Sequence, residues 1–439
     1  MLKTVKFGGS SLADANQFRK AAAIIGKDAS RRYVVVSAPG KRFDGDIKIT
    51  DLLYACYEAA RAGRDFSPSF NQICARYSEI AAELKLNIDL SGEFEGVRAG
   101  LLNDPSRDYA ASRGEYLSAV LMAAYLDVPM IDAAECIRFT PAGTLDAERT
   151  QKMLSERLRA LPRAVVPGFY GSMPDGQVRT FSRGGSDVTG ALVARASGSD
   201  LYENWTDVSG MMCCDPRIVD NPKIIENLSY LELRELSYMG ATVLHESAVF
   251  PVRMAGIPIN IRNTNDPDAP GTMIHPGSDY WSGMPITGIA GRKDFASIMI
   301  QKDEMRENSG FALRVLQVLE RYGVQMEHMP SGIDIMSVIV SSDKLMPHLQ
   351  DILQDLQEVT NADSISVKLN MALLTVVGRG MKNALGAAGR VFSTLGRAGV
   401  NVEMIDQGSG ELNLIIGIAA RDFENAVRFL YREFFGNEN

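Results

Sequence analysis

The sequence predicts an α/β fold, a mostly parallel central sheet sandwiched by helices, followed by two smaller α+β units. Three observations carry this expectation. From residue 1 to 283, short runs of β-branched and aromatic residues alternate with longer helical patterns, as in a sheet covered on both faces. After the loop HPGSDYWSGMP the texture changes to a repeated strand-and-helix pattern. A chain of 439 residues also exceeds what one hydrophobic core organises, so two or three domains are expected.

The strand-like runs of the first part are TVKF, YVVVSA, VPMIDA, AVVPGFYG, LYENWTD and IPINIRN; its helical patterns include TDLLYACYEAARAG, RGEYLSAVLMAAYL and GSDVTGALVARASG. Ligands of such sheets lie at the carboxyl ends of the strands, which points to KFGGSS, SAPG, FSRGGSD and WTDVSG. In the tail, Gly323 and Gly399 stand 76 residues apart, and the same offset superposes Met305 on Met381, Arg314 on Arg390, Leu319 on Leu395 and Glu327 on Glu403. Two copies of one unit follow, each reading strand, helix, strand, strand, helix. The first copy has SISVKL as a fourth strand and the second has none. An open sheet edge has to be covered, so ITGIA (Ile286 to Ala290) is expected to complete the second copy, with the first inserted within it. The division is then 1–283, a strand at 284–291, a first unit at 292–368 and a second at 369–439.

Composition narrows the function. The chain is 46% apolar and 23% charged with net charge −8, and it has no block of lysine or arginine, so neither nucleic acid nor a membrane surface is an expected partner. An anionic ligand must be held by local placement of charge and amides, which points to a small molecule. Cys56, Cys74, Cys136, Cys213 and Cys214 form no CxxC pair and do not cluster with the four histidines at metal-ligand spacing, so no protein metal site is expected. Reduced thiols and the lack of room for a signal peptide before the first glycine loop lead to a cytoplasmic expectation.

Val5 and Phe7 alternate with polar neighbours as in a strand, and Gly8, Gly9, Ser10 and Ser11 follow at once. Backbone amides freed by paired glycines beside a helix N-terminus make an anion site, and Lys6 adds a full positive charge; a tight turn with a solvated lysine is the plain alternative. FSRGGSDVTG repeats the device, with Arg183 before the glycines and Ser186 and Asp187 after them, although either could simply cap the helix. Thr206 and Asp207 end a strand, and Asp215 and Arg217 follow shortly; an acid there binds a ribose hydroxyl or a base amine, or makes a turn. No Walker-type phosphate loop, GxGxxG turn, kinase HRD or DFG set, or HExxH occurs.

Together, KFGGSS, ITDLL (Ile49 to Leu53), RGE (Arg113 to Glu115), FSRGGSDVTGALVA, WTDVSG with DPR, and MGATVLH (Met239 to His245) closely resemble the aspartate kinases in order and spacing. The resemblance covers essentially the whole chain, and the repeated tail resembles their paired ACT regulatory domains. It implies the amino-acid kinase fold with two ferredoxin-like ACT domains. It also implies phosphoryl transfer from MgATP to the side-chain carboxylate of L-aspartate, giving 4-phospho-L-aspartate on the way to lysine, threonine and methionine. Carried over by motif, Lys6 and Asp187 are catalytic, with Asp187 orienting Lys6 or the metal shell. Lys6 and the amides of Gly8, Gly9 and Ser10 meet the ATP phosphates, and Thr206, Asp207, Met212, Asp215 and Arg217 the rest of the nucleotide. Ser37, Thr50, Glu115, Arg183 and Ser186 are the aspartate side, with Arg183 on the α-carboxylate and Glu115 on the ammonium group.

Two positions depart from the family pattern. Thr242 stands where many members have a phosphate-contacting lysine, and Met212 where an aromatic often flanks the adenine. Lys223, Arg217 and the charged loop PGKRFDGDIK are the possible substitutes for the missing charge. By position, Met305, Gly310, Phe311, Ala312, Glu327 and Ser331 resemble a pocket for an amino-acid effector, lysine or threonine or both. The ACT tail further implies a homodimer or higher oligomer. The alternatives are another amino-acid kinase, or a catalytically silent amino-acid sensor on the same fold.

Overall fold

The structure, a computed structural model, describes every residue except 104, 105, 183, 242, 243, 245, 278–284, 383, 409, 411 and 437–439. Packing divides the chain into two compact units. The first comprises Met1–Met211, Glu226–Tyr230 and Thr242–Tyr280; the second comprises Met212–Ile225, Leu231–Ala241 and Trp281–Asn439. Packing therefore does not follow a single cut at 283, because two earlier stretches bond into the tail. Ile289 donates its amide to the Cys213 carbonyl at 2.7 Å, and Arg428 donates to the Ile218 carbonyl at 3.0 Å. Thr287 and Asn413 donate at 2.6 Å to Glu232 and Glu235.

The first unit is built on strands β1 (Lys3–Phe7), β2 (Arg31–Val36), β3 (Ala164–Pro167), β6 (Leu201–Thr206), β7 (Asn227–Ser229), β8 (Ile259–Asn263) and β9 (Thr272–His275). Their order is β3-β2-β1-β6-β8-β9-β7, parallel throughout except for the antiparallel pair β8 and β9. Alternation along the strands supplies two cores. Val5, Phe7, Val34 and Val36 face the helices Ala15–Gly26, Ser67–Glu83 and Arg107–Leu126, while Tyr33, Val35 and Val166 face Gly185–Ser197. Lys6 lies between Val5 and Phe7, so it takes the second face. A short hairpin of β4 (Tyr170–Ser172) and β5 (Val178–Thr180) lies outside the sheet.

The run VPMIDA is not a strand. Met130 makes a single bridge to Val165, and Asp132 then accepts from the Ala134 amide at 2.9 Å to start the short helix Ala133–Cys136. All five cysteines are free thiols. Among the described residues no helix is long and apolar enough to cross a membrane.

The second unit holds a six-stranded sheet of β10 (Gly288–Gln301), β11 (Met326–His328), β12 (Ile335–Ser341), β13 (Ser364–Val377), β14 (Val402–Asp406) and β15 (Asn413–Ala419), in the order β11-β12-β10-β13-β15-β14. Gly288 to Arg292 pair antiparallel with Val377 to Leu373, so the end of ITGIA joins the second copy's first strand. The same β10 then runs on, and Phe295 to Gln301 pair with β12 as the first copy's own strand. β10 and β13 therefore each serve both copies. The crossover is marked by a register shift between Arg292 and Phe295 and by left-handed backbone at Asp294 and Asn370, φ 73° and 58°, positions 76 apart in the repeat. Asp and Asn tolerate that conformation better than other residues with a side chain.

Candidate active site

Lys6 and Asn204 are direct partners in the parallel register of β1 and β6, so both side chains leave the same face of the sheet. Over them stands the first turn of helix Gly185–Ser197, entered through Gly184 in left-handed conformation, φ 58°. A side chain at Gly185 would meet the Phe169 ring at 2.4 Å, so this entry needs glycine. Neither Ser186 nor Asp187 caps the helix. Instead the Asp187 carboxylate turns to the sheet, its Oδ1 lying 2.6 Å from Lys6 Nζ and accepting from Asn204 Nδ2 at 2.9 Å. Lys6 also donates to Asn204 Oδ1 at 3.4 Å. The two glycine turns of the sequence therefore meet at one nearly buried ion pair.

The cradle differs from expectation at one atom. The Gly8 amide is already spent on the Trp205 carbonyl at 2.9 Å, extending the β1–β6 ladder by one residue, so it is not free for a ligand. Among the described residues no protein acceptor takes the amides of Gly9 and Ser10, which open the 3-10 turn Ser10–Leu12. The SAPG loop closes against them, with the Gly40 amide on the Gly9 carbonyl at 2.8 Å. A Cβ on Gly9 would stand 2.9 Å from the Ala38 carbonyl, which explains the second glycine.

Glu115 lies in helix Arg107–Leu126, and its Oε2 is buried without a hydrogen-bond partner. An orphaned buried acceptor asks for a donor. Burial pushes its pKa up to about 8, against the opposing effects of the Ala38 amide, Arg113 and Lys6. Ser37 directly follows β2, nearly buried; Thr50 is in the first turn of helix Ile49–Arg61. Ser186 packs against Gly168, where a Cβ would come within 2.7 Å of its Oγ. Thr206 ends β6 and donates to Asp207 at 3.1 Å. Arg183 and Thr242 lie outside the described residues.

The remaining sequence candidates are in the second unit. Met212 bridges Ile224, and Asp215 is held below the usual carboxylate range by Arg217, whose guanidinium it accepts at 2.7 Å. Met305 and Phe311 are buried in the first copy's core, Gly310 enters helix Phe311–Arg321 at φ 90°, Ala312 packs on that core, and Ser331 is exposed. Glu327 accepts a hydrogen bond from the Tyr238 hydroxyl. Its repeat counterpart Glu403 is paired with Lys368 at 2.6 Å. Among the described residues no group of three or more His, Cys, Asp and Glu side chains could hold a metal ion. Sequence reading missed Asn204; the signal was a polar residue in the buried run LYENWT, placed in register with Lys6.

The amino acid kinase family profile matches residues 1–263 and an ACT domain profile matches residues 374–434. Aspartokinase 3 of Bacillus subtilis is 39% identical over 450 residues, covering 99% of each chain. The aspartate kinase of Clostridium acetobutylicum superposes with a TM-score of 0.94 at 49% identity, over 99% of this chain and 100% of that one. Aspartokinase III of Escherichia coli, in complex with aspartate and ADP, gives 0.76 at 26% identity over 99% and 100%. In complex with lysine and aspartate it gives 0.74 at 26% identity, over 99% of each chain. The chain belongs to the amino acid kinase family and, with a relative this similar over its full length, to the aspartokinases within it.

Proposed function

We propose that this protein is an ATP-dependent aspartate kinase, transferring the γ-phosphoryl group of ATP to the side-chain carboxylate of L-aspartate, with residues 1–283 as the kinase domain. The observation that carries the reading is the Lys6–Asp187 pair, 2.6 Å apart, where two glycine turns meet at the strand ends. The acceptor carboxylate is ionised at neutral pH, so no general base is needed. One carboxylate oxygen forms the new bond to phosphorus as the bond to the ADP oxygen breaks. The difficulty is anion meeting anion, and it is eased by positive charge and preorganised donors.

Lys6 supplies the charge, the amides of Gly9 and Ser10 and the N-terminus of helix Gly185–Ser197 supply donors, and Asp187 orients Lys6. Glu115 receives the substrate ammonium group and Arg183 the α-carboxylate, with Ser37, Thr50 and Ser186 around them. Thr206, Asp207, Met212, Asp215 and Arg217 serve the nucleotide. Mg2+ suits this donor set: it keeps waters and takes phosphates plus one or two carboxylates, and Asp187 Oδ2 has no partner among the described residues. When bound it neutralises phosphate charge.

The reading extends to the tail. The ACT copies at 292–368 and 369–439, the second completed by 284–291, bind an amino-acid effector, lysine or threonine, at the first copy. They also join the chain into a cytoplasmic homodimer or larger oligomer. The test is trapping of acyl phosphate with hydroxylamine, using MgATP and L-aspartate, L-glutamate or N-acetyl-L-glutamate, with and without L-lysine and L-threonine. Hydroxamate from aspartate alone supports the reaction, and its loss with either effector supports the regulation. No hydroxamate from any substrate would leave the silent sensor.

A further inference from the structure

We propose that Asn204 is a positioning residue for phosphoryl transfer, its amide fixing the relative orientation of Lys6 and Asp187. This rests on the kinase reading. Strand β6 is buried over Leu201 to Trp205, and in such a run an apolar side chain is the undemanding choice. A buried amide is retained only with its hydrogen bonds made. Among the described residues both of its bonds go to the ion pair: Oδ1 accepts from Lys6 Nζ at 3.4 Å and Nδ2 donates to Asp187 Oδ1 at 2.9 Å. A scaffold residue would be tied to scaffold; this one is tied to the two groups expected to act.

The electrostatics explain the gain. Lys6 and Asp187, nearly buried and 2.6 Å apart, would by themselves close into a pair whose ammonium is neutralised by one oxygen. Asn204 places the positive end of its dipole on that oxygen and the negative end on the ammonium, so it stabilises both charges without cancelling either. Lys6 then shares Asp187 Oδ1 with a second donor, and its charge stays available to phosphoryl oxygens. Direct register between Lys6 and Asn204 makes the arrangement rigid, because the short asparagine side chain projects from a strand fixed on both sides by β1 and β8.

The experiment compares wild-type protein with Asn204→Leu, Asn204→Asp, Asp187→Asn and the double variant Asn204→Leu/Asp187→Asn, by steady-state kinetics and thermal melting. Asn204→Leu should lower kcat roughly 10- to 100-fold, less than the about 10²- to 10³-fold cost of losing a donor that touches the reacting oxygen, because Asn204 acts through Lys6 and Asp187. The KM for aspartate should stay within about twofold, since among the described residues the Asn204 side chain has no hydrogen bond to Glu115, Ser37, Thr50 or Ser186. Asn204→Asp keeps the shape but sets a second carboxylate beside the pair, and should lower kcat similarly while melting cooperatively. In the Asp187→Asn background the leucine substitution should add less than its own effect, as expected for groups acting as one unit. Near wild-type kcat in both Asn204 variants, or fully additive losses in the double variant, would overturn the proposal. A wild-type protein without aspartate-dependent hydroxamate would instead overturn the kinase reading itself.

Discussion

Lys6 is held by two neighbours of different chemistry, Asp187 and Asn204, and on the proposed kinase reading this sets what its loss should do. Lys6→Ala should lower kcat by roughly 10²- to 10³-fold with little change in KM for aspartate, because a lysine at a phosphate cradle acts mainly on transition-state charge. The fold should survive, since Asp187 keeps its bond to Asn204; steady-state rates and a melting curve check both parts. Glu115 gives a pH prediction with a definite sign. Its carboxyl keeps its proton up to about pH 8 in the free protein, and an ammonium group binds the carboxylate, so KM for aspartate should fall as pH rises from 6.5 to 8. Glu115→Gln should weaken aspartate binding and flatten that trend. The linked effect on stability runs the other way. The folded chain holds a proton that the unfolded chain has lost, so denaturation should show stability falling from the ordinary carboxyl range towards pH 8, less so in Glu115→Gln. Lys6 and Asp187 were legible in the sequence because glycine turns mark them. Asn204 was not, because a lone polar residue in a buried strand carries no sign of which neighbour it faces until register is known.

Helix and strand junctions decide what the motifs can offer. The two Gly-Gly turns look alike in sequence, yet one spends its first amide in the sheet and the other begins a helix with a left-handed glycine. Local sequence shows that amides are available; ladder extension, a tertiary matter, shows which are taken. Strand β11 is a second case. Glu327 on β11 accepts from Tyr238, on the stretch Leu231–Ala241 that leads directly to Thr242, while Glu403 in the second copy is neutralised by Lys368. If Glu327 receives an effector's ammonium, the hydroxyl competes for it. Tyr238→Phe should then lower the half-inhibitory effector concentration about three- to tenfold, the scale of one net hydrogen bond, which an inhibition curve measures. An unchanged midpoint would separate the two contacts. No reading of the repeat could foresee this, because Tyr238 lies outside it.

At the scale of the whole chain, the alternation of strands and helices and the 76-residue repeat made both architectures legible, including the pairing of ITGIA with the second copy. What the pattern did not reveal is that Met212–Ile225 and Leu231–Ala241 pack with the tail. Their bonds to it, such as Thr287 to Glu232, join residues far apart in sequence that have no shared periodicity. Because β10 and β13 each run through both copies, the tail sheet should open as one cooperative body. Amide exchange at Ile289 and Ile298 should therefore report the same opening free energy, although the two residues serve different copies.

The paired left-handed residues Asp294 and Asn370 have a consequence for how such a chain can change length. They sit beside the points where the chain enters and leaves the first copy, and the strand residues just outside, Arg292 and Leu373, already face each other across the ladder. Everything between them can be looped out and replaced by a tight hairpin without rethreading a single strand. Such a shortened tail should still close a complete four-stranded sheet from Gly288–Arg292, Leu373–Val377, β14 and β15.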